Sequence, residues 1–123
     1  MNFFMHNLLH INSYYITNKL HSELVHRLDS KNWKQCVYAP LSHKIVAGNY
    51  EPKDLINTVF FFSKAFNTLT RIIWPIKIWQ IYKNFQKIVN QSFSPHIIHS
   101  HSLIVNGIIA FIYNKKTNIP YIV

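Results

Sequence analysis

PHIIHSHSLIVNGIIAFIYNKKTNIPYIV, residues 95–123, is the stretch whose reading decides the fold. HIIH, residues 96–99, is a short apolar strand, and the polar triplet SHS that follows is a turn. From about Leu103 to Lys116 the apolar spacing becomes helical, until Asn118, Ile119 and Pro120 break it and PYIV starts a second strand. Strand, turn, helix, strand is the unit from which parallel sheets are built.

Working back from that unit, Ile78, Ile81, Tyr82, Phe85, Ile88 and Val89 fall on one helical face, with Gln80, Lys83, Asn84, Gln86, Lys87 and Asn90 opposite. Pro75 fits the first turn of this amphipathic helix. TVFFF, Thr58 to Phe62, is β-branched and aromatic and reads as a strand. Residues 41–54, with Gly48, Asn49 and Pro52, read as a loop, and QCVYA, Gln35 to Ala39, as a short strand ending at Pro40. Leu20, Leu24, Val25 and Leu28 mark a helix within TNKLHSELVHRLDSKN, with Thr17 or Asn18 as its cap. The apolar run from Phe3 to Ile11 suits a buried strand, although its Met and Leu content also allows helix.

The alternation predicts an α/β protein: a Rossmann-like parallel sheet with helices on both faces. The chain stops at Val123 inside an apolar strand run. Parallel strands are covered on both sides and lead into further elements, so the sheet is expected to be incomplete at the C-terminus and the chain to be the front part of something longer.

Composition narrows the partners. With 49% apolar and 15% aromatic residues, disorder is excluded. Thirteen Lys and Arg against four Asp and Glu give a net charge of +9, a surface drawn to polyanions, acidic headgroups or phosphorylated ligands. The cations are scattered, with Lys115-Lys116 the densest cluster, and no zinc-finger or RNP pattern occurs, so nucleic acid is not expected as a partner. Cys36 is alone, which rules out an internal disulfide and fits a reducing compartment. The N-terminus has neither the basic region nor the cleavage site of a signal peptide, and no window of about 18 uninterrupted apolar residues suggests a membrane span. A cytoplasmic location is expected.

The histidine turn admits three chemistries. His99 and His101, at i and i+2, point to one face of a strand and could be metal ligands. Zinc needs a third ligand, and His6 or His10 would serve only if the fold brought one of them there. No metal is therefore expected. Ser100 and Ser102 lack a G-x-S-x-G elbow, and four carboxylates leave few groups to orient a base. The third reading is positional. In open α/β sheets ligands bind beyond the carboxyl ends of strands, and His99, His101 and Ser102 would stand at such an end, with Asn106 and Gly107 in the first turn of the following helix. The set suits hydroxyl-rich or phosphate-bearing ligands. Against it stands a plainer alternative, in which His99 is a packed strand residue and Ser102 only a helix cap.

The same residues resemble a family. Paired histidines at His99 and His101, the loop Asn106-Gly107, a helix with a basic end and the turn Asn118-Ile119-Pro120 are similar to the strand-turn-helix-strand of family 4 glycosyltransferases of the GT-B fold. NSYYITNKLHSELVHRL is similar, more loosely, to the exit loop and helix after that family's first strand, and QCVYAP to its second strand. Asn12-Ser13-Tyr14-Tyr15 stands where the family has a glycine-rich loop.

The resemblance implies that residues 1–123 are a partial N-terminal, acceptor-side Rossmann-like domain without the C-terminal donor domain. It implies a parent transferase of polysaccharide biosynthesis that moves a sugar from a nucleotide-sugar to a glycan or lipid-linked acceptor, without metal or other cofactor. Asn12, Ser13, Tyr14, His99, His101, Ser102, Asn106 and Gly107 would contact substrate, with no catalytic residue assigned and no turnover expected from this fragment. Peripheral binding at an anionic inner membrane face is a further implication. The alternative function is a non-enzymatic basic α/β module that binds acidic membrane or polyanion.

Overall fold

The computed structural model describes residues 6–12, 19–41, 55–64 and 72–123. Its elements are β1 (Asn7–Ile11), α1 (Lys19–Ser30), β2 (Lys34–Leu41), β3 (Thr58–Lys64), α2 (Trp74–Ser92), β4 (Ile97–Ser100), α3 (Val105–Thr117) and β5 (Tyr121–Ile122). The five strands form one sheet in the order β3-β2-β1-β4-β5, and every pair is parallel. This is the expected α/β, Rossmann-like sheet.

The period of two along each strand divides the core between the faces. Leu9, Ile11, Cys36, Tyr38 and Ile98 point to one side, where α2 and α3 cover them. The stripe predicted for α2 does this: Ile78, Ile81, Tyr82, Phe85 and Val89 are buried. Phe85 meets Tyr38 and Tyr113 edge to face, with ring centroids 5.3 Å and 5.1 Å away. Val37 and Ala39 point to the other side, against Val25 of α1. Helices thus lie on both faces.

α1 buries Val25 but leaves Leu20 exposed, so its apolar stripe is narrower than its leucines suggest. Asn32 closes the turn after it with φ 64°, a left-handed conformation that Asn tolerates, and Asn118 does the same after α3 at φ 62°. α2 starts at Trp74 with Pro75 in its first turn, as expected of a residue with no N–H to give.

Several boundaries differ from expectation: β3 runs on to Lys64 rather than ending at Phe62, and α3 starts at Val105 rather than at about Leu103. β4 begins at Ile97 rather than His96, and β2 runs through Pro40 to Leu41 instead of ending at Pro40. β1 pairs β2 only as far as Tyr38, while β3 stays paired out to Leu41. Beyond Tyr38, therefore, β2 has one neighbour among the described residues and is there locally an edge strand, where the missing N–H of proline is tolerated. The caps expected at Thr17 or Asn18, the strand start at Phe3, and nearly all of the 41–54 loop lie outside the described residues.

Candidate functional site at the carboxyl edge of β1 and β4

The strand order reverses between β1 and β4. α1 follows β1 on one face, while α2 and α3 flank β4 on the other. At such a switch point the loops leaving neighbouring strands diverge and open a crevice. The ladder continues a little past the strands here, with His101 N–H donating to Ile11 O at 3.0 Å and Asn12 N–H to Tyr38 O at 2.9 Å.

Register decides which side chains meet. His10 lies opposite His99 in the β1/β4 ladder, so both project to the α1 face, and His101 follows His99 at the period of two. The ring centroids of His99 and His101 are 4.1 Å apart, those of His10 and His101 5.0 Å, and those of His10 and His99 5.7 Å. His21 of α1 adds a fourth ring, 4.7 Å from His101. Its Nδ1 is 2.8 Å from Asn12 Nδ2.

His10 is fully buried and hydrogen-bonded at both nitrogens: Nε2 to Gln35 Oε1 and Nδ1 to His101 Nε2, each at 2.8 Å. Gln35 Nε2 donates to Val25 O at 2.9 Å and Thr58 Oγ1 at 3.1 Å, which fixes the amide with its oxygen toward His10. Thr58 Oγ1 in turn donates to Asp29 Oδ2 at 2.7 Å.

Every one of the four rings is pushed toward the neutral form. Burial lowers the pKa of His10 to about 4, against the opposing hydrogen bond from Gln35 and with help from His99 and His21. Burial, then repulsion by the neighbouring rings, lowers His101 to about 2. Burial lowers His99 and His21 as well, His99 with a contribution from His21. Neutral imidazoles each offer one donor and one acceptor.

The cluster opens onto a cavity of about 560 Å³ between α1 and the β4 turn, with Glu23 and Arg27 on one wall and His99, His101 and Ser102 on the other. Of the residues expected here, His99, His101 and Ser102 line this space. Asn12 is buried behind His21. Asn106 is fully buried in the first turn of α3. Gly107 packs under the turn: a Cβ there would stand 3.2 Å from Ser102 O, so the glycine allows a close approach of helix to turn. Ser13 and Tyr14 lie outside the described residues. Ser102 is not the cap of α3; Ile104 holds that position without a side-chain bond, and Ser100 Oγ donates to Ser102 O at 2.7 Å.

Gln35, His21, Glu23 and Arg27 join the site without having been expected in it. His10 answers the condition set for a third histidine, whereas His6 lies tilted against Trp33 with centroids 5.2 Å apart, before the start of β1.

Fold and site together define an α/β protein of Rossmann-like topology with a histidine-lined crevice at its switch point. Comparison with known proteins finds no matching family model, no matching curated protein and no matching solved structure.

Proposed function

We propose that the chain forms the acceptor-side, N-terminal domain of a GT-B glycosyltransferase, one wall of a cleft in which a sugar passes from a nucleotide-sugar to a glycan or lipid-linked acceptor. The observation that carries this reading is the place of the His99–Ser102 turn, at the carboxyl edge of the switch point and facing α1 across the cavity. Neutral His99 and the Ser102 hydroxyl can each give and take hydrogen bonds, as sugar hydroxyls do, while His101, whose Nε2 is engaged by His10, offers Nδ1 as an acceptor. Arg27 supplies a cation for a phosphate oxygen, and Glu23 an acceptor. These residues bind and orient; proton transfer is assigned to none of them, and transfer itself is proposed to run without a metal. Placing donor against acceptor needs a second wall, so residues 1–123 by themselves are expected to bind ligand without turnover.

The test is a titration of the chain, isotopically labelled in its histidine rings, with uridine and guanosine diphosphate sugars and short oligosaccharides. Ligand-dependent shifts at His99 and His101, with His6 and His96 unmoved at the other end of the sheet, support the reading. Unmoved His99 and His101 across the panel, or turnover of a nucleotide-sugar by these residues alone, overturn it.

A second reading, docking on an anionic membrane, is favoured by a separate observation. Ile72, Ile73, Trp74, Ile76 and Trp79 are exposed around the start of α2, with Lys83 Nζ 5.9 Å from the Trp79 ring. This patch is distinct from the buried stripe of α2 and combines interfacial aromatics with cations. Among the described residues no helix is long and apolar enough to cross a membrane, so α2 would lie on the surface, at the cytoplasmic face that carries acidic lipid.

A further inference from the structure

We propose that His10, His99 and His101 form a three-imidazole centre for a divalent transition-metal ion, with zinc the first candidate. One ligand nitrogen from each ring lies within 4.8 Å of the others. The set is assembled by sheet register, from two strands 89 residues apart in sequence at His10 and His99, which explains why spacing in the sequence does not display it.

The surroundings of His10 match those of a metal-bound imidazole. Gln35 Oε1 faces inward because Gln35 Nε2 is committed to Val25 O and Thr58 Oγ1, so His10 Nε2 carries the hydrogen. His10 Nδ1 therefore presents its lone pair toward His101, 2.8 Å from Nε2 of that ring. An oxygen holding the second nitrogen of a ligand histidine sets both tautomer and ring angle. The support reaches further, through Thr58 Oγ1 to Asp29, whose Oδ2 also accepts the Asn57 N–H at 2.9 Å.

In the metal-free chain His101 Nε2–H donates to His10 Nδ1. A bound ion replaces that hydrogen; His101 then carries its proton on Nδ1, exchanged through water, and stays neutral while Nε2 gives its lone pair to the ion. Zinc–nitrogen bonds of about 2.0–2.1 Å set ligand nitrogens about 3.3 Å apart, so the two rings separate by about half an ångström and His99 closes in. Three imidazoles with neither thiolate nor carboxylate suit zinc, copper or nickel and not magnesium or calcium. His99 and His101 line the cavity, so a fourth position opens onto it, beside His21. The centre shares His99 and His101 with the sugar reading but needs no sugar ligand to be tested, and it departs from the expectation that no metal is held.

The experiment is calorimetric titration of the chelator-stripped chain with zinc chloride, paired with visible absorption on adding cobalt chloride. We expect one ion per chain and the ligand-field bands of four- or five-coordinate cobalt. His99→Ala and His101→Ala should each weaken zinc by about tenfold or more, and His6→Ala should leave it unchanged. Because His10→Ala empties a fully buried position, the part of His10 is read in the unmutated chain, from a zinc-dependent shift of its Nδ1 resonance with Nε2 still protonated. No saturable uptake, stoichiometric uptake that persists in both His99→Ala and His101→Ala, or an unmoved His10 Nδ1 would overturn the proposal.

Discussion

Gln35 Oε1 and His10 Nε2 stand 2.8 Å apart, with both side chains fully buried, and the bond between them gives direction to a whole row of donors. In the metal-free chain His101 gives to His10, His10 to Gln35, Gln35 to Thr58 and Thr58 to Asp29. Since Thr58, Gln35 and His10 each accept from one neighbour and donate to the next, the carboxylate at one end settles which nitrogen carries the hydrogen at the other. The row crosses from α1 through β3 and β2 to β1 and the β4 turn.

Gln35→Leu should therefore cost more than one hydrogen bond. It leaves the His10 Nε2–H without an acceptor in a buried site, an orphaned group worth about 1–3 kcal/mol, and also takes a donor from Val25 O and Thr58 Oγ1. Urea denaturation should show a lower midpoint at unchanged slope. An unchanged midpoint would mean that the row carries no stability.

Acid should unfold the metal-free chain through its histidines. The folded pKa of His10 is held near 4, below the 6.5 of an unstructured histidine, so the unfolded chain binds the extra proton between those values. Its contribution is fully present above about pH 6.5 and lost as pH falls toward 4, on the order of 3 kcal/mol for this one buried ring. His101, at about 2, extends the loss to lower pH. Stability measured in chelator should fall steeply below pH 6.5 and fall less in His10→Gln, provided that variant folds.

Phe85→Ala should remove about 3–5 kcal/mol, since this ring is fully buried and packs edge to face with Tyr38 and Tyr113. Phe111→Ala, at a position 46% exposed on α3, should lose far less. Similar losses at the two positions in thermal or urea unfolding would contradict the core assignment.

Membrane docking predicts that Trp74→Ser with Trp79→Ser weakens sedimentation with anionic vesicles without moving the urea midpoint, since both rings are exposed. Binding should fall as salt rises, and vesicles of neutral lipid should retain little of it.

What was legible in the sequence follows from how local each signal is. The α2 stripe from Ile78 to Val89 and the β4–turn–α3 unit show in the sequence because their periods are set by neighbouring residues. Pro40 misleads because its tolerance inside β2 depends on where β1 stops pairing. The site is legible in half. His99 and His101 announce themselves by spacing, whereas His10, Gln35 and His21 join them through strand register and helix docking, which no local pattern records. Gly107, expected among the residues that contact substrate, makes room for the Ser102 carbonyl, a close approach that only the folded turn reveals.

Cys36 is the one thiol in the chain, and it sits in β2 with Leu9 and Val59 beside it in the sheet. Burial is complete and pushes its pKa up to about 12, so at neutral pH the closed sheet offers a labelling reagent neither access nor thiolate. The chain thus carries its own stopwatch: each alkylation of Cys36 timestamps a moment when the layers beside β2 had parted. Run with and without zinc, that stopwatch tells whether an ion held between β1 and β4 slows the opening of the sheet next to it.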